Sequence, residues 1–525
     1  MKNIPAEQIE NGQCSLGIEL GSTRIKAVLV NANADILAIG THDWENVYEN
    51  GIWTYHLEDV VAGLQSCYAS LKNDVQTKYG IVLKKLKSFG ISAMMHGYIA
   101  LDRDGNLLAP FRTWRNTATE VAADELTELF RFNIPQRWSI AHYWQQAIDG
   151  EAHINKIDKL MTLACYVHYL LSGEFVLGVG DASGMFPTVA NESRYDPEMV
   201  EKLNKRMQER NIPYKIQDIL PVPLAAGQAA GKLTPEGAQL LDPTGDLQPG
   251  VAMCPPEGDA GTGMVATNSV RPLTGNISAG TSVFAMIVLN NQLSRYYREI
   301  DVVATPAGPH VAMVHCNNCS SELNAFADMF AELQGSADRG SVLSAMFQAA
   351  ENAEPDCGGI VCCNYLSGEH ITGFSSGRPL IARTPDSRFT LGNFARAMAY
   401  SAFATIKLGM EILSKENIRI ACMMGHGGLF KSAFTARVVA AAVNAKVATM
   451  ETAGEGGAWG IALLAAYMAD KKDGERLEDY LERTAFRNAD ITVTEPSDAD
   501  LQGFDVYIQA YKNLLLAERT AVDNL

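Results

Sequence analysis

The stretch Pro255 to Leu289, PPEGDAGTGMVATNSVRPLTGNISAGTSVFAMIVL, decides the fold. Within it Asp259 sits among Gly258, Ala260, Gly261, Thr262 and Gly263, small residues that let a ligand approach the backbone closely. Further on, Asn276 to Ser278 reads as a strand, Gly280-Thr281-Ser282 as a tight turn and Val283 to Leu289 as a second strand. The tip of such a hairpin exposes backbone N–H groups and two hydroxyls, a concavity suited to phosphate oxygens. The same pattern occurs once before, at Ile18-Glu19-Leu20-Gly21-Ser22-Thr23-Arg24-Ile25-Lys26-Ala27-Val28-Leu29-Val30. Laid without gaps on Ile277 to Leu289, it pairs turn with turn and apolar run with apolar run. Repetition at half-chain spacing predicts two related domains, each with one phosphate-holding hairpin. Glu19 falls where the second copy has Ser278. A carboxylate beside a phosphate is repulsive unless a cation lies between them, so Glu19 points to Mg2+, bound directly or through water. Read singly, each hairpin is more readily an ordinary β-hairpin, and Asp259 more readily a helix cap.

A chain of 525 residues exceeds what one hydrophobic core supports, so two large domains are expected. Its 47% hydrophobic and 20% charged residues are those of a globular protein, and a net charge of -17 argues against nucleic acid or an anionic membrane as the main partner. The segment MKNIPAEQIENGQ lacks an apolar core of signal-peptide length and no long apolar run follows, which predicts a soluble, cytoplasmic protein. Ten scattered cysteines read as reduced core thiols. Cys316 and Cys319, beside His315, have the spacing of a zinc or redox pair but no second ligand pair to match. No Walker-type phosphate loop is present; Gly227 to Lys232 is one residue short, with Leu233 where Ser or Thr is needed.

Along the chain, Ser15 to Glu19, Ile25 to Val30 and Ala34 to Ile39 read as successive strands, Leu57 to Tyr79 as a helix, and Lys87 to Ser92 as a strand leading into Met95-His96-Gly97 and the strand Ile99 to Asp102. Pro110 to Thr119 brings Arg112, Trp114, Arg115 and Asn116 together. An aromatic face with amide and guanidinium donors beside it suits a polyhydroxylated ligand. Helices are expected at Val121 to Phe130 and Lys156 to Leu171, before Gly180-Asp181-Ala182-Ser183-Gly184, where Asp181 is a cap or a hydroxyl acceptor. In the second half Val311 to Val314 reads as a strand, Ser321 to Leu333 and Ser341 to Asn352 as helices, and Tyr365 to Glu369 as the end of a strand. The long helix Phe394 to Leu413 follows. Ile418 to Met424 then enters Gly425-His426-Gly427-Gly428 and a helix from Lys431 to Asn444; Lys446 to Met450 enters Ala453-Gly454-Glu455-Gly456-Gly457 and a helix from Ala458 to Met468. Strand, glycine turn and helix, repeated, is where a nucleotide's base and ribose can rest against backbone.

From Leu16 to Ala469 these motifs, in this order, resemble the FGGY carbohydrate kinases: LGIELGSTRIKAVLV, MMHGYIALD, WRN, GDASG, EGDAGTG, SAGTSVF, YLSGE and MMGHGG. The resemblance implies an α/β chain of two ribonuclease H-like domains, the ATPase core of actin, hexokinase and Hsp70, divided near residue 264 (1–264 and 265–525) with the site in an interdomain cleft that closes on sugar and ATP. It implies that Asp259 is the catalytic base taking the proton from a sugar hydroxyl that attacks the γ-phosphoryl group. Gly21, Ser22, Thr23, Lys26, Gly280, Thr281 and Ser282 match phosphate positions, Gly425, Gly427 and Gly428 the adenosine loop, and Met95, His96, Gly97, Trp114 and Asn116 the sugar site, with Glu19 and Asp259 on the side of Mg2+. A homodimer is compatible with the resemblance.

Three residues depart from it. Glu19 stands where the family usually has Asp, Asn116 where xylulokinases usually have Asp, and His426 interrupts a glycine run. The Met-His-Gly stretch resembles xylulokinases more than glycerol kinases or ribulokinases. The expectation is therefore an ATP-dependent pentulokinase, for D-xylulose first, with L-ribulose or another ketose or polyol as the alternative. A reading of another class is an actin-like ATP-dependent sugar sensor without phosphoryl transfer; a base aimed at a bound hydroxyl would distinguish the two.

Overall fold

The computed structural model describes residues 4–335, 338–450 and 455–525. They form two compact units: residues 4–270, 302–311 and 455–489 make the first, and the remaining described residues the second. In the first, β1 (Ser15–Leu20), β2 (Arg24–Val30) and β3 (Ile36–Asp43) form an antiparallel meander. The helix α1 (Leu57–Tyr79) buries Val60, Leu64, Cys67, Tyr68, Leu71 and Val75 along one stripe and ends where Gly80 takes a left-handed conformation. The next strand, β4 (Ser88–Ala93), runs parallel to β1 and is buried at every position, as a central strand covered on both faces must be.

The helix expected over Lys156 to Leu171 is instead a short strand and a helix. Lys159–Met161 pairs antiparallel with Ile99–Leu101, and α2 (Leu163–Ser172) begins only after Thr162, whose side chain accepts the Cys165 N–H. A free strand edge and a cap outweigh helical periodicity there. The short helix α3 (Val179–Ser183) follows, and β5 (Ala252–Met253) and β6 (Glu257–Gly258) add in parallel to β4. The polypeptide then turns into α4 (Asp259–Ala266), so Asp259 is the first residue of a helix, with Gly258 as its cap.

In the second unit β7 (Thr274–Ala279) and β8 (Val283–Val288) form the second hairpin, and β9 (His310–Cys316) lies beside β8. Helix α5 (Ser320–Leu333), strand β10 (Ile360–Cys363) and the 25-residue helix α6 (Leu391–Lys415) follow. Tyr365 to Glu369 is a loop beyond β10. Strand β11 (Cys422–His426) runs parallel to β7, α7 (Ala433–Val443) crosses over, and β12 (Lys446–Met450) runs parallel to β11. The strand order β9-β8-β7-β11-β12 repeats β3-β2-β1-β4-β5 of the first unit. The repeat seen in two hairpins is thus a repeat of whole sheets.

After residues 451–454, which lie outside the described residues and hold part of the expected 453–457 turn, α8 (Gly456–Asp470) returns to the first unit. It packs on β1 and β4 so closely that a Cβ at Gly17 would run into the Ala458 carbonyl. The compact units therefore do not follow one cut near residue 264, because the apolar faces of α8 are buried against the N-terminal sheet. Finally β13 (Ile491–Thr494) pairs antiparallel with β12, and α9 (Asp498–Asn524) closes the second unit. No helix among the described residues is long and apolar enough to cross a membrane.

Candidate active site

The first turn is held by its carbonyls. Trp44 Nε1 donates to Gly21 O at 2.7 Å, Tyr55 Oη to Ser22 O at 2.6 Å and Trp44 N to Thr23 O at 3.2 Å. In a trans peptide the C=O and the following N–H point in opposite directions, so the N–H groups of Ser22 and Thr23 face away from these anchors. Trp44 and Tyr55 stack at 4.2 Å, which stiffens the support. The second turn is built alike: Cys319 N donates to Thr281 O at 3.0 Å and Ser320 N to Gly280 O at 3.1 Å, and Gly280 and Thr281 are exposed. Different anchors produce one result, outward amides.

Asp259 begins α4 with its Oδ1 accepting from Met95 N at 3.1 Å and from Ala260 N at 3.0 Å. No side chain among the described residues donates to the other oxygen. Burial raises its pKa above the ordinary carboxylate value, against the lowering effect of those N–H donors. Glu19, opposite Lys26 in the β1–β2 register, accepts from Ala458 N at the start of α8. Burial first, and the Asp259 charge second, push its pKa up to about 7, while Lys26 and the Ala458 N–H oppose this. The extra methylene of Glu19 is accommodated because Gly457 has no side chain; a Cβ there would strike Glu19 Oε1. Lys26 itself pairs with Glu455 at 3.0 Å.

Behind Asp259 lie two acids with no obvious sequence signal for their proximity. Glu257 Oε2 accepts from Asp181 N at 2.9 Å and its Oε1 from Gly180 N at 3.2 Å, while Asp181 Oδ2 accepts from Thr162 Oγ1 at 2.7 Å. Burial raises Glu257 to about 8 and Asp181 to about 7. Asp181 is thus not a cap, since it sits inside α3, but it is a hydroxyl acceptor, from Thr162. His96, with φ +68°, accepts at Nε2 from Arg137 Nε (3.3 Å), so its Nδ1–H donates to Gly184 O (3.0 Å). Gly97, at φ +95°, makes the turn that follows.

Trp114 Nε1 donates to Ser22 Oγ at 3.3 Å, tying the aromatic loop to the first turn, and the ring is 40% exposed. The Asn116 amide, expected to face a polyhydroxylated ligand, is bonded to backbone instead. Its Oδ1 accepts from Trp53 N at 2.9 Å, and its Nδ2 donates to Trp53 O at 2.8 Å and Thr113 O at 3.0 Å. The amide mimics a neighbouring strand and is consumed in doing so. Arg115 stacks over Trp53 at 3.7 Å, and Arg112 donates to Gln146.

In the second unit Ser278 pairs with His426 across β7 and β11, and Gly427, at φ +99°, lies against the Ala279 backbone next to the turn. Gly425 faces the Phe430 ring, whereas a Cβ at Gly428 would meet open space. Of the three glycines, Gly425 is buried, and Gly427 and Gly428 are exposed. Cys316 and Cys319 are buried, with burial raising both thiols, and no group of three or more metal-ligating side chains forms among the described residues.

Family models for the FGGY carbohydrate kinases match residues 14–244 (N-terminal domain) and 275–469 (C-terminal domain). The chain belongs to this family. It is an ATP-dependent carbohydrate kinase with the two-domain fold of actin and hexokinase. This FGGY kinase is 24% identical over 476 residues to a xylulose kinase of Haemophilus influenzae, covering 84% of this chain and 89% of that one. Among solved structures, a ligand-bound xylulose kinase of Lactobacillus acidophilus superposes with a TM-score of 0.79 at 16% identity, over 96% of this chain and 98% of the other. A gluconate kinase of the same organism gives 0.78 at 16% identity, over 96% and 97%. Nearly equal scores for kinases named for two different sugars mean that the fold by itself does not single out a sugar.

Proposed function

We propose that this kinase transfers the γ-phosphoryl group of ATP to the terminal hydroxyl of a ketopentose, D-xylulose first. The observation that carries the reading is the Asp259 carboxylate: one oxygen is fixed by the Met95 and Ala260 N–H groups, and the other is left to take a proton. As the sugar oxygen bonds to the γ-phosphorus and the bond to the β–γ bridging oxygen breaks, that proton passes to Asp259 and ADP leaves. Met95, His96, Gly97 and Trp114 are the proposed sugar contacts, with Asn116 holding their wall in place. Ser22, Thr23, Thr281 and Ser282 offer outward amides to phosphate oxygens, Gly21 and Gly280 shape the turns, and Lys26 adds charge. Gly427 and Gly428 receive the adenosine, and Gly425, packed on Phe430, shapes the loop.

Glu19 and Asp259 suit Mg2+, because both are hard carboxylates in a buried setting where the Asp259 charge raises the Glu19 pKa, and such an ion usually takes only one or two protein carboxylates, with water and phosphate completing its shell. When bound, the ion would neutralise phosphate charge. The xylulose kinases among the relatives support the sugar assignment, and the Met-His-Gly stretch agrees with it.

The test is ADP release with MgATP across ketopentoses, ketohexoses, polyols and gluconate. D-Xylulose should give the highest kcat/KM, and Asp259→Ala should lower it about 100- to 10,000-fold. Preference for L-ribulose would redirect the sugar assignment, and sugar-independent turnover unchanged by the substitution would overturn the mechanism.

A further inference from the structure

The two turns are anchored by different means, and the second anchor leads deeper into its unit. The amides that hold Gly280 O and Thr281 O belong to Cys319 and Ser320, at the end of the loop 317–320. That loop is gripped by the loop 365–369. Glu369 is fully buried, and its Oε2 accepts from Asn317 N at 2.9 Å, Asn318 N at 3.3 Å and Asn318 Nδ2 at 3.2 Å. In return Asn318 Oδ1 accepts from the backbone N–H groups of Leu366 and Ser367, each at 3.0 Å. Asn317 Nδ2 donates to Gly368 O at 2.8 Å, and Asn364 Nδ2 to Cys319 O at 3.2 Å. A carboxylate placed under backbone amides in this way fixes a loop far better than solvent-exposed contacts do.

We infer that Glu369 and Asn318 are positioning residues that hold the second turn with its Thr281 and Ser282 N–H groups directed at ATP phosphate. Their hydrogen bonds set the 317–320 backbone, that backbone fixes the carbonyls of Gly280 and Thr281, and peptide planarity turns the amides outward. Neither side chain needs to touch the nucleotide. The inference rests on the assignment of this turn to phosphate.

The experiment uses the full chain and measures the Kd of β,γ-imido-ATP with Mg2+ by calorimetry, with the Kd of D-xylulose and the melting midpoint as controls. Glu369→Ala, Glu369→Asp and Asn318→Ala should each weaken nucleotide binding about tenfold, as lost charge-assisted phosphate hydrogen bonds would, while sugar affinity stays within about twofold. Glu369→Gln keeps an accepting oxygen under the 317–318 amides and should restore nucleotide affinity to within about threefold. A general loss of structure would move both affinities and would not be rescued by Gln. Thr281→Pro deletes one outward amide directly. If it leaves nucleotide affinity unchanged, the phosphate assignment falls and the inference with it. If it weakens binding while the Glu369 and Asn318 variants do not, the assignment stands and the clamp is refuted. Unfolding of all three clamp variants would make the network a matter of stability alone and also overturn the inference.

Discussion

Asn116 is the residue whose role changes most between sequence and structure. As an amide it serves Trp53 with both an acceptor and a donor, and gives a second N–H bond to Thr113. An Asp at this position would set a carboxylate against two carbonyl oxygens. Asn116→Asp is therefore expected to destabilise the protein by about 2 kcal/mol, the cost of unpaired buried carbonyls, measurable by urea denaturation. It should also raise the KM for sugar more than that for ATP, because Trp114 shares the loop; an unchanged sugar KM would separate the loop from the sugar site.

At the scale of elements, the docking of α8 matters most, since it delivers the Ala458 N–H to Glu19. That helix approaches α4 so closely that a Cβ at Gly460 would run into the Thr262 carbonyl, a backbone atom that cannot swing aside. Gly460→Ala should cost about 1–3 kcal/mol as overpacking. Gly263→Ala, one residue further along α4 in open space, should be neutral or stabilise by up to ~1 kcal/mol through helix propensity. Denaturation midpoints that moved alike for both would refute the close-packing account.

Across the whole molecule, buried titratable groups set a pH dependence of folding. Burial raises the carboxyls of Glu19 to about 7, Asp181 to about 7 and Glu257 to about 8, against ordinary values of 4.5, 3.8 and 4.5. Folding therefore binds protons at these sites, and their contribution, complete below the ordinary values, is lost as pH rises through 7 to 8. Buried His142 and His168 act oppositely: their values are lowered from 6.5 to about 3 and about 4, so their contribution is present above 6.5 and lost on acidification. Above 6.5 only the carboxyls remain in play. The melting temperature without ligands should fall between pH 6.5 and about pH 8.5, and fall less in Glu257→Gln. A flat profile would mean that these acids ionise freely in the fold.

Sequence alone carried the paired hairpins and the family, because turn chemistry and β alternation are local and are written in consecutive residues. It also placed α1 from Leu57 to Tyr79 and β12 from Lys446 to Met450, where periodicity and flanking glycine or asparagine agree. Tertiary structure decided the rest. Lys159–Met161 became a strand because a distant edge was free to pair, and α8 joined the N-terminal sheet because its apolar faces found their partner there. The burial of Asp181 with Glu257, the use of Asn116 as a backbone mimic and the grip of Glu369 on the 317–320 loop join residues 51 to 76 positions apart. Periodicity reports only which face of an element is apolar; which surface it meets, and which acids that meeting removes from water, is settled when the chain packs.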